Sequence, residues 1–318
     1  MKGKIIFDDQ PGLPFEEWDN PYSSSDASEH GSETIKKSPE PLYFCSFGSG
    51  SSGNSCYIGS SAGGVIVDVG VRAEEIEQGL AANGVSMKHV KAILLTHDHS
   101  DHMKYVYSML RNNKHIKLFC TNRVLNGLLR KHSISRRIKE YQVPVFKEIP
   151  FKFFDFEITA FDVPHDGSDN MGFSFDFHGR RFVVATDLGE ITERAYYYMS
   201  RASYLMIEAN YDLQMLRLGR YPEYLKARIM GGRGHLDNRQ TAEFLEATVN
   251  PSMSHVFLCH LSQDNNTPQI ALRTVRDALE ARGLKVGSGA ETFDDKKADV
   301  QLVALPRFGM TRWFVLRD

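Results

Sequence analysis

The chain has 318 residues, 42% of them hydrophobic and 25% charged, with a formal net charge of −2. That composition belongs to a folded globular protein and excludes wholesale disorder, a fibrous repeat and a coiled coil. No apolar run approaches the roughly 20 residues of a membrane span, the N-terminus lacks an apolar signal-peptide core, and Cys45, Cys56, Cys120 and Cys259 form no Cys-x-x-Cys pair, so a cytoplasmic protein with reduced thiols is expected.

Residues 1–41 stand apart. Five prolines, the run Ser23–Ser25 and nine acidic residues against four lysines predict an acidic, flexible N-terminal extension, because such a segment buries too little apolar surface to offset its ordering entropy. Without it the balance is 34 basic to 31 acidic residues, a net of +3. The −2 of the whole chain therefore does not count against a polyanionic partner. Residues 42–318 read as a single α/β domain.

Leu42–Phe47 predicts a strand, Gly48–Gly53 a small-residue loop, and Cys56–Gly59 and Gly64–Val69 two more strands. Ala73–Ala82 predicts a helix. Lys91–Thr96 carries four consecutive apolar residues, as a strand covered on both faces requires. A helix is expected from His102 to about Arg111, then a strand at Ile116–Cys120 and a helix at Arg123–Lys131. Tyr141–Asp162 alternates apolar and polar residues, and His178-Gly179 between two apolar runs predicts a hairpin turn. Strands follow at Tyr204–Glu208 and His255–Leu261, helices at Asn238–Val249 and Pro268–Arg282, and a terminal strand pair at Val300–Leu305 and Thr311–Leu316.

The chemistry concentrates in His97-Asp98-His99-Ser100-Asp101-His102, directly after a buried strand. An α/β sheet places its ligands at the carboxyl ends of its strands. His97 and His99, two apart, can point the same way from an extended backbone, and Asp101 and His102 can reach a second ion. Imidazole nitrogen and carboxylate oxygen suit zinc, manganese or iron. Three further strand ends add His165, Asp187 and His260.

His97-x-His99-x-Asp101-His102, followed by a strand-end histidine, aspartate and histidine, resembles the metallo-β-lactamase fold. More narrowly the chain is similar to the YycJ (VicX, WalJ) branch. That match rests on Phe47-Gly48-Ser49-Gly50-Ser51-Ser52-Gly53-Asn54-Ser55, Val67-Asp68-Val69-Gly70, Ala185-Thr186-Asp187-Leu188-Gly189, Glu208-Ala209-Asn210, Gly219-x-Tyr221-Pro222-x-x-Leu225-Lys226-x-Arg228-Ile229, Gly234-His235-Leu236-x-Asn238 and His260-Leu261-Ser262-x-x-Asn265-Asn266. The resemblance implies an αββα sandwich, with two central mixed sheets flanked by helices, and a metal-dependent exonuclease. It implies one divalent metal held by His97, His99 and His165, a second held by Asp101, His102 and His260, and Asp187 bridging the two.

A two-metal site generates hydroxide near neutral pH for in-line attack on a phosphodiester, and Asp101 is expected to orient it. His235 is the candidate acid for the leaving oxygen, with Glu208 to fix its tautomer; ribonuclease Z-like relatives use a similar pair. The Gly48–Asn54 loop reads as a packing or phosphate-contact element. Between Glu208 and His235 lie several arginines interleaved with tyrosines, a mixture suited to phosphate pairing and base stacking. Arg217, Arg220, Arg233 and Asn238 are the expected substrate-binding residues. The expected activity is an exonuclease on DNA; the alternative is a small-molecule metallo-hydrolase acting on a cyclic phosphate, lactone or thioester.

Overall fold

The computed structural model describes residues 40–290 and 297–317; the expected extension up to residue 39 lies outside the described residues. The first half contains β1 (Leu42–Gly48), β2 (Ser55–Gly59), β3 (Gly64–Val67), α1 (Ala73–Ala82), β4 (Val90–Leu94), α2 (Ser100–Met103), α3 (Val106–Asn112), β5 (Lys117–Cys120), α4 (Asn122–Lys131) and β6 (Gln142–Pro144). The second contains β7 (Phe151–Phe153), β8 (Phe156–Asp162), β9 (Met171–Phe177), β10 (Arg180–Ala185), α5 (Glu193–Met199), β11 (Tyr204–Glu208), α6 (Leu213–Leu218), α7 (Glu223–Met230), α8 (Asn238–Thr248), β12 (His255–Cys259), α9 (Pro268–Ala281), β13 (Val286–Gly287), β14 (Val300–Ala304) and β15 (Phe314–Leu316).

Two mixed sheets result. One runs β15-β1-β2-β3-β4-β5-β6 and the other β13-β14-β12-β11-β10-β9-β8-β7. In the second sheet alternation decides which residue faces what. Phe182, Val184, Met206 and Phe257 belong to the core cluster shared with the first sheet. Their neighbours Val183, Ala185, Leu205, Ile207, Val256 and Leu258 pack in the cluster that contains Ala195 of α5, Leu245 of α8 and Val275 of α9. Across the sandwich, the Phe44 ring lies 5.0 Å from Phe182 and 4.5 Å from Phe257. Each such buried ring contributes roughly 1.5–3 kcal/mol of transfer free energy. The αββα sandwich is therefore the architecture, and no helix among the described residues is long and apolar enough to cross a membrane.

The hairpin at His178-Gly179 forms as expected. Both residues have positive φ, 51° and 82°, as a two-residue type I′ turn requires. Two expectations change. The helix after His102 is two helices, because the Tyr105 N–H donates to the Val69 carbonyl at 2.9 Å and the Val69 N–H to the His102 carbonyl at 2.7 Å. The terminal strands do not pair with each other: β14 runs parallel to β12 and β15 antiparallel to β1. Periodicity marks a strand but carries no information about its partner. Helices α6 and α7 had no counterpart in the sequence reading, where their arginines and tyrosines stood out and their periodicity did not.

Candidate metal centre

Five of the seven ligand candidates stand just past the carboxyl end of a strand, His97 and His99 after β4, His165 after β8, Asp187 after β10 and His260 after β12, and Asp101 and His102 lie in α2. Strands from both sheets thus deliver side chains to one edge of the sandwich. Asp187 and His260 hold left-handed φ values of 53° and 55°, and Asp68 after β3 holds 58°. That conformation costs a non-glycine residue about 1–2 kcal/mol. Here it turns each chain sharply at the strand end, where a polar side chain is needed.

The side chains converge. His97, His99 and His165 form one group whose candidate ligand atoms lie within 4.8 Å of one another; Asp101, His102 and His260 form a second, and His97, His102 and Asp187 a third. Asp187 Oδ2 is 3.1 Å from His102 Nε2 and Oδ1 is 3.7 Å from His165 Nε2, so it stands between the first two groups. Among the described residues neither its Oδ2 nor His97 Nε2 makes a hydrogen bond. Both atoms are buried, and an unpaired buried polar atom is costly. Divalent cations bound by nitrogen and carboxylate oxygen satisfy both. The donor set therefore fits metal ions, and the seven candidate side chains gather in one cluster.

Charges inside the cluster fit the same reading. Burial pushes His97 well below its ordinary pKa, with the neighbouring His102 adding to the effect. Burial opposes charge at His260 too, but Asp187, Asp101 and Glu208 outweigh it and push that imidazole up to about 10. His102 is likewise raised, against burial, by Asp187, Asp68 and Asp101. Asp187 stays ionised despite burial, held down by His260 and His102. The carboxylates thus favour positive charge at His102 and His260, and cations bound there would take the place of protons.

Outside the ligands, three features hold the site. Asp68 accepts from His102 Nδ1 at 2.7 Å and from the Thr96 N–H and hydroxyl, each at 2.8 Å. The small-residue loop packs against the site: Ser49 Oγ accepts from the His260 N–H at 2.8 Å, and Asn54 Nδ2 lies 3.2 Å from Asp101 Oδ2. Glu208 is fully buried; its Oε2 accepts from the Leu188 and Leu236 N–H groups at 2.8 and 3.2 Å, and its Oε1 lies 2.7 Å from His235 Nδ1 and 2.9 Å from His260 Nδ1. The expected Glu208–His235 pair is thus formed. Asp98 takes no part in ligation and instead accepts from Ser168 Oγ at 2.7 Å and pairs with Lys131 at 3.1 Å.

A cleft lies over this cluster, lined by Ser51, Asp101, Asn210, Tyr221, Arg228 and His235 among others. The substrate-binding expectation needs correction here. Arg217, Arg220 and Arg233 are exposed but do not line the cleft. Asn238 is buried, and its amide exchanges hydrogen bonds with that of Asn266 at 3.0 and 2.9 Å, so it has no face left for a ligand. Arg228, one of several cations in that stretch of sequence, is the arginine that the fold of α7 brings to the cleft. Asp68 lies in the Val67–Gly70 segment and Asp166 directly follows His165, but only their contacts across the fold reveal what they do.

A profile described as "Beta-lactamase superfamily domain" matches residues 67–260, a span that takes in every ligand candidate. Exodeoxyribonuclease YycJ of Bacillus anthracis is 32% identical over 254 residues, covering 80% of this chain and 95% of the relative. Exodeoxyribonuclease WalJ of Streptococcus pneumoniae is 32% identical over 247 residues, covering 77% and 91%. Zn2+-bound PqqB of Methylobacterium extorquens matches with a TM-score of 0.59 at 15% identity, covering 85% of this chain and 99% of that one, a likeness of fold alone. With its strand-end ligands, its paired sheets and this identity over most of its length, the chain belongs to the metallo-β-lactamase fold superfamily, in the branch that holds YycJ and WalJ.

Proposed function

We propose that the chain is a metal-dependent phosphodiesterase acting on nucleic acid, an exodeoxyribonuclease, located in the cytoplasm. The observation that carries this reading is His235, held by the buried Glu208, standing beside the ligand cluster in one cleft. Cleaving a phosphodiester needs an activated water and a proton for the leaving oxygen, and the arrangement offers a place for each. The names of the 32%-identical relatives support the DNA substrate. In the same proposal, residues 42–318 form one hydrolase domain and residues 1–41 an extension to it.

His97, His99 and His165 would hold one divalent ion, Asp101, His102 and His260 a second, with Asp187 shared. Such a pair supplies an activated water near neutral pH and neutralises phosphate oxygens. Asp101, on the cleft wall, orients the attacking water. Glu208 accepts from His235 Nδ1, which leaves Nε2 as the ring nitrogen available to protonate the leaving oxygen.

Purified protein assayed on labelled DNA, labelled RNA and bis-p-nitrophenyl phosphate, with metal analysis, tests the reading. DNA hydrolysis is expected, lost on chelation and restored by zinc or manganese. Asp187→Ala is expected to lower it by on the order of 10²–10³-fold or more. Activity that survives chelation, or survives Asp187→Ala, would rule the metal mechanism out. Cleavage of the small diester with none of DNA or RNA would favour the small-molecule alternative.

A further inference from the structure

Arg228 stands in the second turn of α7, which forms one wall of the cleft. Leu225, Arg228 and Ile229 occupy positions i, i+3 and i+4 on the face that lines it, the spacing that puts side chains on one side of a helix. The helix is anchored from behind by Lys226, a buried lysine whose Nζ donates to the Arg217 carbonyl at 2.9 Å. Arg228 is therefore carried on a fixed element.

The guanidinium is also fixed in orientation. Its Nε and Nη2 lie 2.7 and 2.6 Å from a single oxygen, Oδ2 of Asp166. The other oxygen of Asp166 lies 3.2 Å from His99 Nε2. His99 Nδ1 lies 3.3 Å from His165 Nε2 and so faces the ligand cluster. Asp166 thus joins two groups: it holds the outer nitrogen of a metal-ligand histidine and one edge of an arginine. The Nη1 edge of Arg228 makes no hydrogen bond among the described residues, and the side chain is 55% exposed. An arginine with one edge pinned by a carboxylate and the other open is preorganised for an oxyanion, because less rotamer freedom is lost on binding.

Its place defines which oxyanion. Asp166 Oδ1 also lies 3.5 Å from His165 Nε2, so the guanidinium stands beside the His99–His165 edge of the cluster with the carboxylate between. A phosphate under attack would sit over the ligand cluster itself, one carboxylate away from the guanidinium. We infer that Arg228 binds the phosphate next to the scissile one in the same strand, with Asp166 as its positioning residue and Leu225 and Ile229 flanking the intervening nucleoside. The inference rests on the phosphodiesterase reading and deepens it: the site is built for a chain of at least two phosphates. A diester with a single phosphate lacks the group that Arg228 holds.

The test compares wild type, Arg228→Ala and Arg228→Lys in the full, metal-loaded protein. The ratio of kcat/KM for a short single-stranded oligonucleotide to that for bis-p-nitrophenyl phosphate is expected to fall about tenfold in Arg228→Ala, mainly through KM, and to recover in part in Arg228→Lys, which keeps the charge and loses the fork. In parallel, affinity for a labelled phosphorothioate oligonucleotide, which resists hydrolysis, should fall about tenfold in Arg228→Ala, with the slope of log K against log salt smaller by about 0.7–1. An unchanged ratio with unchanged affinity overturns the inference while leaving the nuclease reading intact. Equal losses on both substrates with falling metal content also overturn it, because Arg228 would then act only by steadying Asp166 and His99. Weakened binding in a protein that hydrolyses neither substrate would defeat the nuclease reading and, with it, a place next to a scissile phosphate, leaving Arg228 a phosphate contact alone.

Discussion

His235 and Glu208 show how one buried carboxylate can organise two histidines. Glu208 holds His260, a metal-ligand candidate, and His235, the proton donor candidate, through the same oxygen. Its second oxygen is taken by two backbone N–H groups. Burial would raise its pKa, but His235 and the hydrogen bonds to it and to His260 hold the carboxyl below the usual range, so it stays an acceptor. Asp187, Glu208, His235 and His260 also satisfy the distance criterion for a metal group, and a substitution separates the two roles. His235→Ala is expected to slow turnover by about 10²–10⁴-fold with metal content unchanged, as inductively coupled plasma measurement of the variant would read. A matching loss of metal would make His235 a ligand. These residues were legible in sequence because each ends a strand or sits in a short motif. Asp68, Asp166 and Arg228 were not assigned roles, because each works through a partner remote in sequence: Asp68 through His102, Asp166 through His99 and Arg228.

At the scale of elements, the site depends on the close approach of two loops, 68–70 and 99–105. The Asn54 N–H donates to the Asp101 carbonyl at 2.7 Å, and Gly70 packs against that same carbonyl. A Cβ added at Gly70 would lie 1.6 Å from the Asp101 oxygen, a clash with backbone that no rotamer relieves. Gly70→Ala should therefore push α2 and its ligands away from the cluster. Thermal melting should show a loss of about 1–3 kcal/mol or more, and metal content should fall with it. Wild-type stability and full metal content would mean that this approach is not required. The same two loops interrupt the helix that sequence periodicity predicted, since Tyr105 donates to Val69 in place of a helical carbonyl. Helix α7 illustrates the opposite failure: a short helix with Leu, Lys, Arg and Tyr in close succession carries little amphipathic signal, yet its placement decides which arginine reaches the cleft.

Across the whole molecule, the two sheets enclose all four cysteines as buried, unpaired thiols. Burial raises Cys45 above its ordinary pKa, Cys56 and Cys259 well above it, and Cys120 to about 12. Because the folded value exceeds the unfolded one, about 8.5, this stability is fully present below pH 8.5 and is lost as pH rises towards the folded values. The native protein should not react with a thiol reagent at pH 8, should react fully once unfolded in guanidinium, and should unfold at lower denaturant concentration as the pH passes 9. Rapid labelling of the native state would contradict the packing.

The seven ligand candidates, the hairpin turn and most strands are legible in the sequence alone, because periodicity, turn residues and short spacings of candidate ligands are local properties that short-range sterics and burial enforce. The partners of β14 and β15, the break before α3, the burial of Asn238 and the choice of Arg228 over its neighbouring arginines were decided only by tertiary structure. Each depends on which segments meet across the sandwich, and that is set by burial of the whole chain at once.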